Sequence, residues 1–180
     1  MAVIIDGKAV SQNLREEIAK ERALFEKNTG INPGLAVIIV GSDPASQVYV
    51  RNKGKACEQV GFYSEIHELD EDTTEEQLLE LVHSLNKNDK IHGILVQSPL
   101  PKHLDETLIV NNIDYNKDVD AFHPVNVGKI MIGDYHFLPC TPAGVMELLK
   151  AYNIDVCGKN VVVVGRSNIV GKPQAMLMLH

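Results

Sequence analysis

The sequence predicts an α/β fold: a three-layer first domain of βαβ units on a mostly parallel sheet, followed by the start of a second α/β unit. Three observations carry this. Short apolar runs at 35–40, 91–97 and 160–165 are bounded by turn residues, as buried strands are. Stretches with helical apolar spacing separate the first two of them. The resulting rhythm of helix and strand is that of crossover connections between parallel strands.

Each element follows from its residues. Residues 2–5 are a brief apolar run that turns at Asp6-Gly7. Ser11 is placed to cap a helix running to about Lys27, with Leu14, Ile18 and Phe25 on one stripe. A loop, N-T-G-I-N-P at 28–33, precedes the strand at 35–40. The turn G-S-D-P then leads into a helix that Gly61 closes. Residues 62–69 alternate apolar and polar, the pattern of a half-buried strand. Thr74 and Gln77 form a capping box before a helix bearing Leu78, Leu81, Val82 and Leu85. The strand at 91–97 stops at S-P-L-P, where two prolines cannot donate to a ladder. A short helix at 105–111 and a polar loop, D-Y-N-K-D-V-D-A-F-H-P, come next. Thr141-Pro142 opens a helix at 142–152 with proline in its first turn. The loop before Thr141 is the expected boundary between a domain at 1–140 and one at 141–180.

The third strand, N-V-V-V-V-G at 160–165, runs into G-R-S-N-I-V-G-K-P and a new helix. This is a modified nucleotide-binding signal, spaced Gly165-x-Ser167-x-x-x-Gly171 instead of G-x-G-x-x-G. Glycines permit close approach of backbone to phosphate, and the helix start is expected to offer free N–H groups and a positive dipole end. Alone the signal is weak, because a glycine-rich turn after a strand is also ordinary α/β packing. Arg166 is either a phosphate partner or a plain surface arginine. The sequence stops at His180, soon after this helix begins. A dinucleotide fold needs further strands and a ribose-binding residue about 20 positions on. The expectation is therefore an incomplete second domain.

Composition narrows the function classes. With 44% hydrophobic and 23% charged residues over 180 positions, the chain can bury a sizeable core. A formal net charge of −7 argues against nucleic acid as a partner. No segment approaches the roughly 18 apolar residues of a membrane span, and the first residues lack the features of a secretory signal. Three widely spaced cysteines, Cys57, Cys140 and Cys157, fit neither a disulfide framework nor a zinc site and point to the reducing cytoplasm. The seven histidines form no H-x-x-x-H or Cys/His cluster, which argues against a bound metal.

Tyr49 and Lys53, one helical turn apart, share a face of the helix after the first buried strand. Open α/β sheets place ligands at that end of a parallel strand. Lys53 is then either a solvated cation or a proton-transfer group tuned by partial burial and steered by the tyrosine. Short-chain dehydrogenases also use Tyr-x-x-x-Lys, but with the glycine loop ahead of it. Here Lys53 precedes Gly165 by more than a hundred residues, so that reading fails.

Five blocks together carry a specific resemblance: S-Q-V-Y-V-R-N-K-G-K-A-C at 46–57, G-I-L-V-Q-S-P-L-P at 93–101, K-D-V-D-A-F-H-P-V-N-V-G at 117–128, P-C-T-P at 139–142 and G-R-S-N-I-V-G-K-P at 165–173. In these the chain resembles the bifunctional methylenetetrahydrofolate dehydrogenase/methenyltetrahydrofolate cyclohydrolases. It departs from them at Ser98, where leucine is usual, and at Ala121, where glycine is usual.

The resemblance implies a folate-binding catalytic domain followed by the start of a truncated, Rossmann-like NAD(P)-binding domain. It implies Lys53 as the proton-transfer residue, Gln97 as the hydrogen-bond partner that holds it, and Tyr49 packed along the folate rings. Asp120 would read the pterin's N–H groups, with Pro99 and Leu100 also lining the substrate site. Asp118 reads better as a capping or solvated residue. Gly165, Arg166, Ser167 and Gly171 would cradle the cofactor phosphates. Arg166 would favour NADP, with NAD the alternative, and Cys140 and Thr141 would lie near the nicotinamide. Tetrahydrofolate derivatives are the expected partners, in a homodimer. A competing expectation is a non-catalytic folate-domain fragment that folds and dimerises without turnover. With one nucleotide-domain strand at most, tight NADP binding is not expected.

Overall fold

The computed structural model describes residues 2–180. Ten elements follow in order: α1 (Gly7–Thr29), β1 (Gly34–Val40), α2 (Pro44–Val60), β2 (Tyr63–Leu69), α3 (Glu75–Asn86), β3 (Gly93–Val96), α4 (Glu106–Asn112), α5 (Pro124–Ile132), α6 (Cys140–Ala151) and α7 (Gly171–Leu179). The chain divides into two compact units, Arg15–Val119 and the residues up to Leu14 together with Asp120–His180.

In the first unit β1 is the middle strand of a parallel sheet ordered β2-β1-β3. Covered on both faces, β1 reads as a continuous apolar run, and Ala36 to Val40 are all buried. Ala36, Ile38 and Val40 pack with Leu78, Val82 and Leu85 of α3 and Ile109 of α4. Val37 and Ile39 face the other way, against Val50 of α2 and Leu95 of β3. Helix, sheet and helix make the three layers the sequence predicts.

Local chemistry sets the helix ends. The Asp43 side chain accepts from Ser46 N at 2.8 Å and caps α2, with Pro44 in the first turn. That backbone hydrogen bond from Ser46 holds the Asp43 carboxyl below its ordinary range. Gly61, at φ 79°, closes α2 in the left-handed region. Thr74 and Gln77 bond reciprocally at the start of α3, as the capping box predicts.

Three sequence expectations are corrected. The first helix starts a turn before Ser11: Asp6 Oδ1 accepts from Lys8 N at 3.0 Å and Ala9 N at 3.1 Å, so Asp6 is the cap. A helix absent from the sequence reading, α5, follows the polar loop. His123 Nδ1 accepts from Val125 N at 3.1 Å at its start, and Gly133 at φ 76° ends it. The strand expected at 160–165 does not form. Val162 and Val164 are 86% and 99% exposed. A strand needs a ladder partner, and the strands among the described residues all lie in the other unit.

Ala121 is 1% exposed yet sits at φ 55°, which costs an L-residue roughly 1–2 kcal/mol. Ala121→Val should therefore destabilise the protein by about 2–3 kcal/mol, since a β-branch worsens the backbone strain and overpacks the site. Ala121→Gly should shift stability by less than about 1 kcal/mol, because the relieved strain and the lost buried methyl offset each other. Chemical denaturation of the three proteins measures both, and a Val variant as stable as the parent would contradict the strain argument.

Candidate functional site

The carboxyl ends of the strands build the site in the first unit. After Val40 the chain turns through Gly41, Ser42 and Asp43 into α2, whose second and third turns carry Tyr49 and Lys53. Beyond β3, Gln97 N donates to Ile38 O at 2.8 Å, so the ladder to β1 reaches one residue past the strand. Gln97 is thereby seated by the sheet itself.

Its side chain meets Lys53. Lys53 Nζ donates to Gln97 Oε1 at 3.0 Å, and Gln97 Nε2 donates to Ser98 O at 2.8 Å. The two bonds fix the amide's orientation, because an ammonium only donates and a carbonyl only accepts. Both residues are partly buried. Tyr49, one turn before Lys53, is 62% exposed and presents its ring to solvent. Pro99 and Leu100 line a cleft of about 380 Å³ at the ends of the strands, together with Val40, Asp43 and Glu71.

Asp118 is not the solvated residue that was one expectation: it is buried, and its backbone forms a bridge alongside Ile94 of β3, which suits a structural part. Asp120 belongs to the other unit, where the Cys140 thiol donates to its Oδ1 at 3.5 Å. Thr141 follows Cys140 in the first turn of α6, both exposed, while Pro142 beside them is buried.

Around the glycine-rich turn, Gly165 and Gly171 are in backbone contact. A Cβ on Gly171 would come within 2.4 Å of Gly165 C, so only glycine fits. Ser167 Oγ accepts from Val170 N at 3.1 Å and from Gly171 N at 3.2 Å, and Ser167 O accepts from Lys172 N at 3.0 Å. Pro173 has no N–H, and Gln174 N is bonded to Val170 O at 2.9 Å. The free amides expected at the start of α7 are thus occupied within the turn itself, while Arg166 is exposed.

A parallel sheet between helix layers, with an amine held by an amide at its carboxyl end, defines an α/β protein of the type that handles small ligands beyond its strand ends. The comparisons make the class specific. Residues 5–120 match the family described as tetrahydrofolate dehydrogenase/cyclohydrolase, catalytic domain, and residues 139–180 match its NAD(P)-binding domain. The chain belongs to the tetrahydrofolate dehydrogenase/cyclohydrolase family. It is 62% identical over 178 residues to the bifunctional protein FolD of Acetivibrio thermocellus, covering 99% of this chain and 62% of that one. Among solved structures, the bifunctional FolD of Campylobacter jejuni superposes with a TM-score of 0.93 at 51% identity, covering 98% of this chain and 63% of the other. The Trypanosoma brucei enzyme, complexed with NADP cofactor and inhibitor, superposes with a TM-score of 0.94 at 42% identity, covering 99% and 61%. The chain thus spans somewhat under two thirds of the length of these relatives. No helix among the described residues is long and apolar enough to cross a membrane.

Lys53 was singled out by its spacing from Tyr49, and Gln97 as its partner only by the family resemblance. The Ser98 hydroxyl contact to Glu106 and the thiol contact to Asp120 were not indicated by the sequence, because both join residues far apart in local pattern.

Proposed function

We propose that this chain carries the folate-processing chemistry of a bifunctional enzyme: NADP-dependent oxidation of methylenetetrahydrofolate to methenyltetrahydrofolate, and hydrolysis of the product to formyltetrahydrofolate. The observation that carries the proposal is the 3.0 Å bond from Lys53 to Gln97 at the carboxyl end of the sheet. Hydrolysis adds water to a carbon that is already cationic, so one positioned proton-transfer group suffices. Lys53 takes that part, and Gln97 holds its amine in place. Tyr49 offers its exposed ring to the flat folate, and Pro99 and Leu100 supply apolar walls. Asp120 accepts hydrogen bonds from the pterin's N–H groups.

In the oxidation, NADP when bound supplies the hydride acceptor, and the substrate nitrogen supplies the push, so the protein's task is alignment. The residues fit such a cofactor. Gly165 and Gly171 pack backbone to backbone and hold the turn tight, and the exposed Arg166 suits a 2′-phosphate. Because the α7 amides are engaged by Ser167, Arg166 and the Ser167 hydroxyl carry the phosphate contact, with Thr141 nearer the nicotinamide end. We assign residues 1–140 to folate binding and catalysis and 141–180 to the beginning of the cofactor domain. A cytoplasmic homodimer is the proposed setting.

Gln97→Ala tests the carrying observation. It should slow both reactions by about tenfold, the cost of one hydrogen bond to a charged group. The measurement is steady-state kinetics of the parent and variant in a protein of the relatives' length containing these residues. Unchanged rates and an unchanged pH–rate profile would remove the lysine–glutamine pair from the mechanism.

A further inference from the structure

Residue 98 lies past the end of β3, where the sheet no longer fixes the chain, yet its carbonyl is the acceptor that orients the Gln97 amide. Something else must hold it. The Ser98 hydroxyl donates to Glu106 Oε1, in the first turn of α4. That turn is itself anchored. Asp105 Oδ1 accepts from Thr107 N at 2.9 Å and Leu108 N at 3.2 Å, and Asp105 N donates to Glu75 Oε2 at 3.0 Å, at the start of α3. One turn further on, Ile109 is fully buried in the core. A continuous series of bonds therefore runs from α3 and α4 through Glu106, Ser98 and Gln97 to the Lys53 amine.

We propose that Ser98 and Glu106 are positioning residues for Lys53, acting through the Gln97 amide; this rests on the reading of Lys53 as the proton-transfer group. If the peptide carbonyl of Ser98 swings away, Gln97 Nε2 loses its acceptor and the amide is free to rotate. Rotation would turn an N–H₂ group toward an ammonium, two donors facing each other. The Ser98–Glu106 bond prevents this by holding the carbonyl where Nε2 can reach it. Glu106 is exposed, so solvent screens the bond and its effect sits at the low end of the range for hydrogen bonds.

The test reads Lys53 directly and needs no turnover. The rate at which a water-soluble acylating reagent modifies Lys53 is followed by peptide mass mapping at one fixed pH, with the exposed neighbour Lys55 as internal reference. Ser98→Ala and Glu106→Ala should each raise Lys53 acylation by about two- to three-fold relative to Lys55. The double variant should do no more than either single one, since both break the same bond. Ser98→Thr, which keeps the hydroxyl, should match the parent. Equal labelling in parent and Ser98→Ala, additive effects in the double variant, or Ser98→Thr behaving like Ser98→Ala would each overturn the proposal. In a protein of the relatives' length, Ser98→Ala should lower kcat for hydrolysis by a similar factor and leave KM unchanged. A loss confined to KM would also count against it. If that protein shows no hydrolysis at all, the functional reading fails, while the labelling still decides the positioning role.

Discussion

Lys53→Met abolishes methenyltetrahydrofolate hydrolysis, by a factor on the order of 10²–10⁴, and leaves folate binding largely intact: that is the expected result in a protein of the relatives' length. Methionine keeps an unbranched apolar stem of similar reach, so the partly buried path of the side chain along α2 is preserved. Only the amine is lost. Gln97 keeps its bonds to Ile38 O and Ser98 O, so its position survives the change. The loss should appear in kcat, because the group acts on the reacting atoms and contributes little to holding the substrate. Near-normal hydrolysis by the variant would assign the proton transfer elsewhere. A large rise in the folate dissociation constant would mean that Lys53 binds and does not catalyse.

Asp120→Asn should weaken folate binding by about 2–4 kcal/mol, roughly 30- to 1000-fold, with little change in cofactor affinity. A carboxylate offers two acceptor oxygens to the pterin's N–H groups, whereas the amide turns one of them into a donor facing another donor. The local structure should tolerate the exchange, because the Cys140 thiol can donate to an amide oxygen as it does to Oδ1. Folate and NADP titrations of both proteins separate the outcomes. Equal folate affinities would exclude Asp120 from pterin recognition, and a parallel loss of NADP affinity would point to a general structural defect.

Much of the fold was legible in the sequence because local and tertiary demands agree there. The run at 35–40 is apolar throughout because helices cover both faces of β1, and the Thr74–Gln77 box is a purely local motif. Where the two demands part, the pattern misled. Residues 160–165 have strand composition but no pairing partner among the described residues, and composition alone does not make a ladder. Ser11 is a good cap residue one turn too late, because Asp6 already satisfies the first amides. For α5 the signals were present and unused, with proline at its first position and glycine just past its end. The candidate site shows the same division. The spacing of Tyr49 and Lys53 is local and readable, while the seating of Gln97 depends on a strand register that no short window contains.

That seating has a consequence for motion. Gln97 N is bonded to the carbonyl of Ile38, in the strand that has neighbours on both edges and helices on both faces. Amide protons in such a strand exchange with deuterated solvent only when the whole cooperative unit opens. The residue that holds the Lys53 amine is thus tied to the last part of the first unit to breathe.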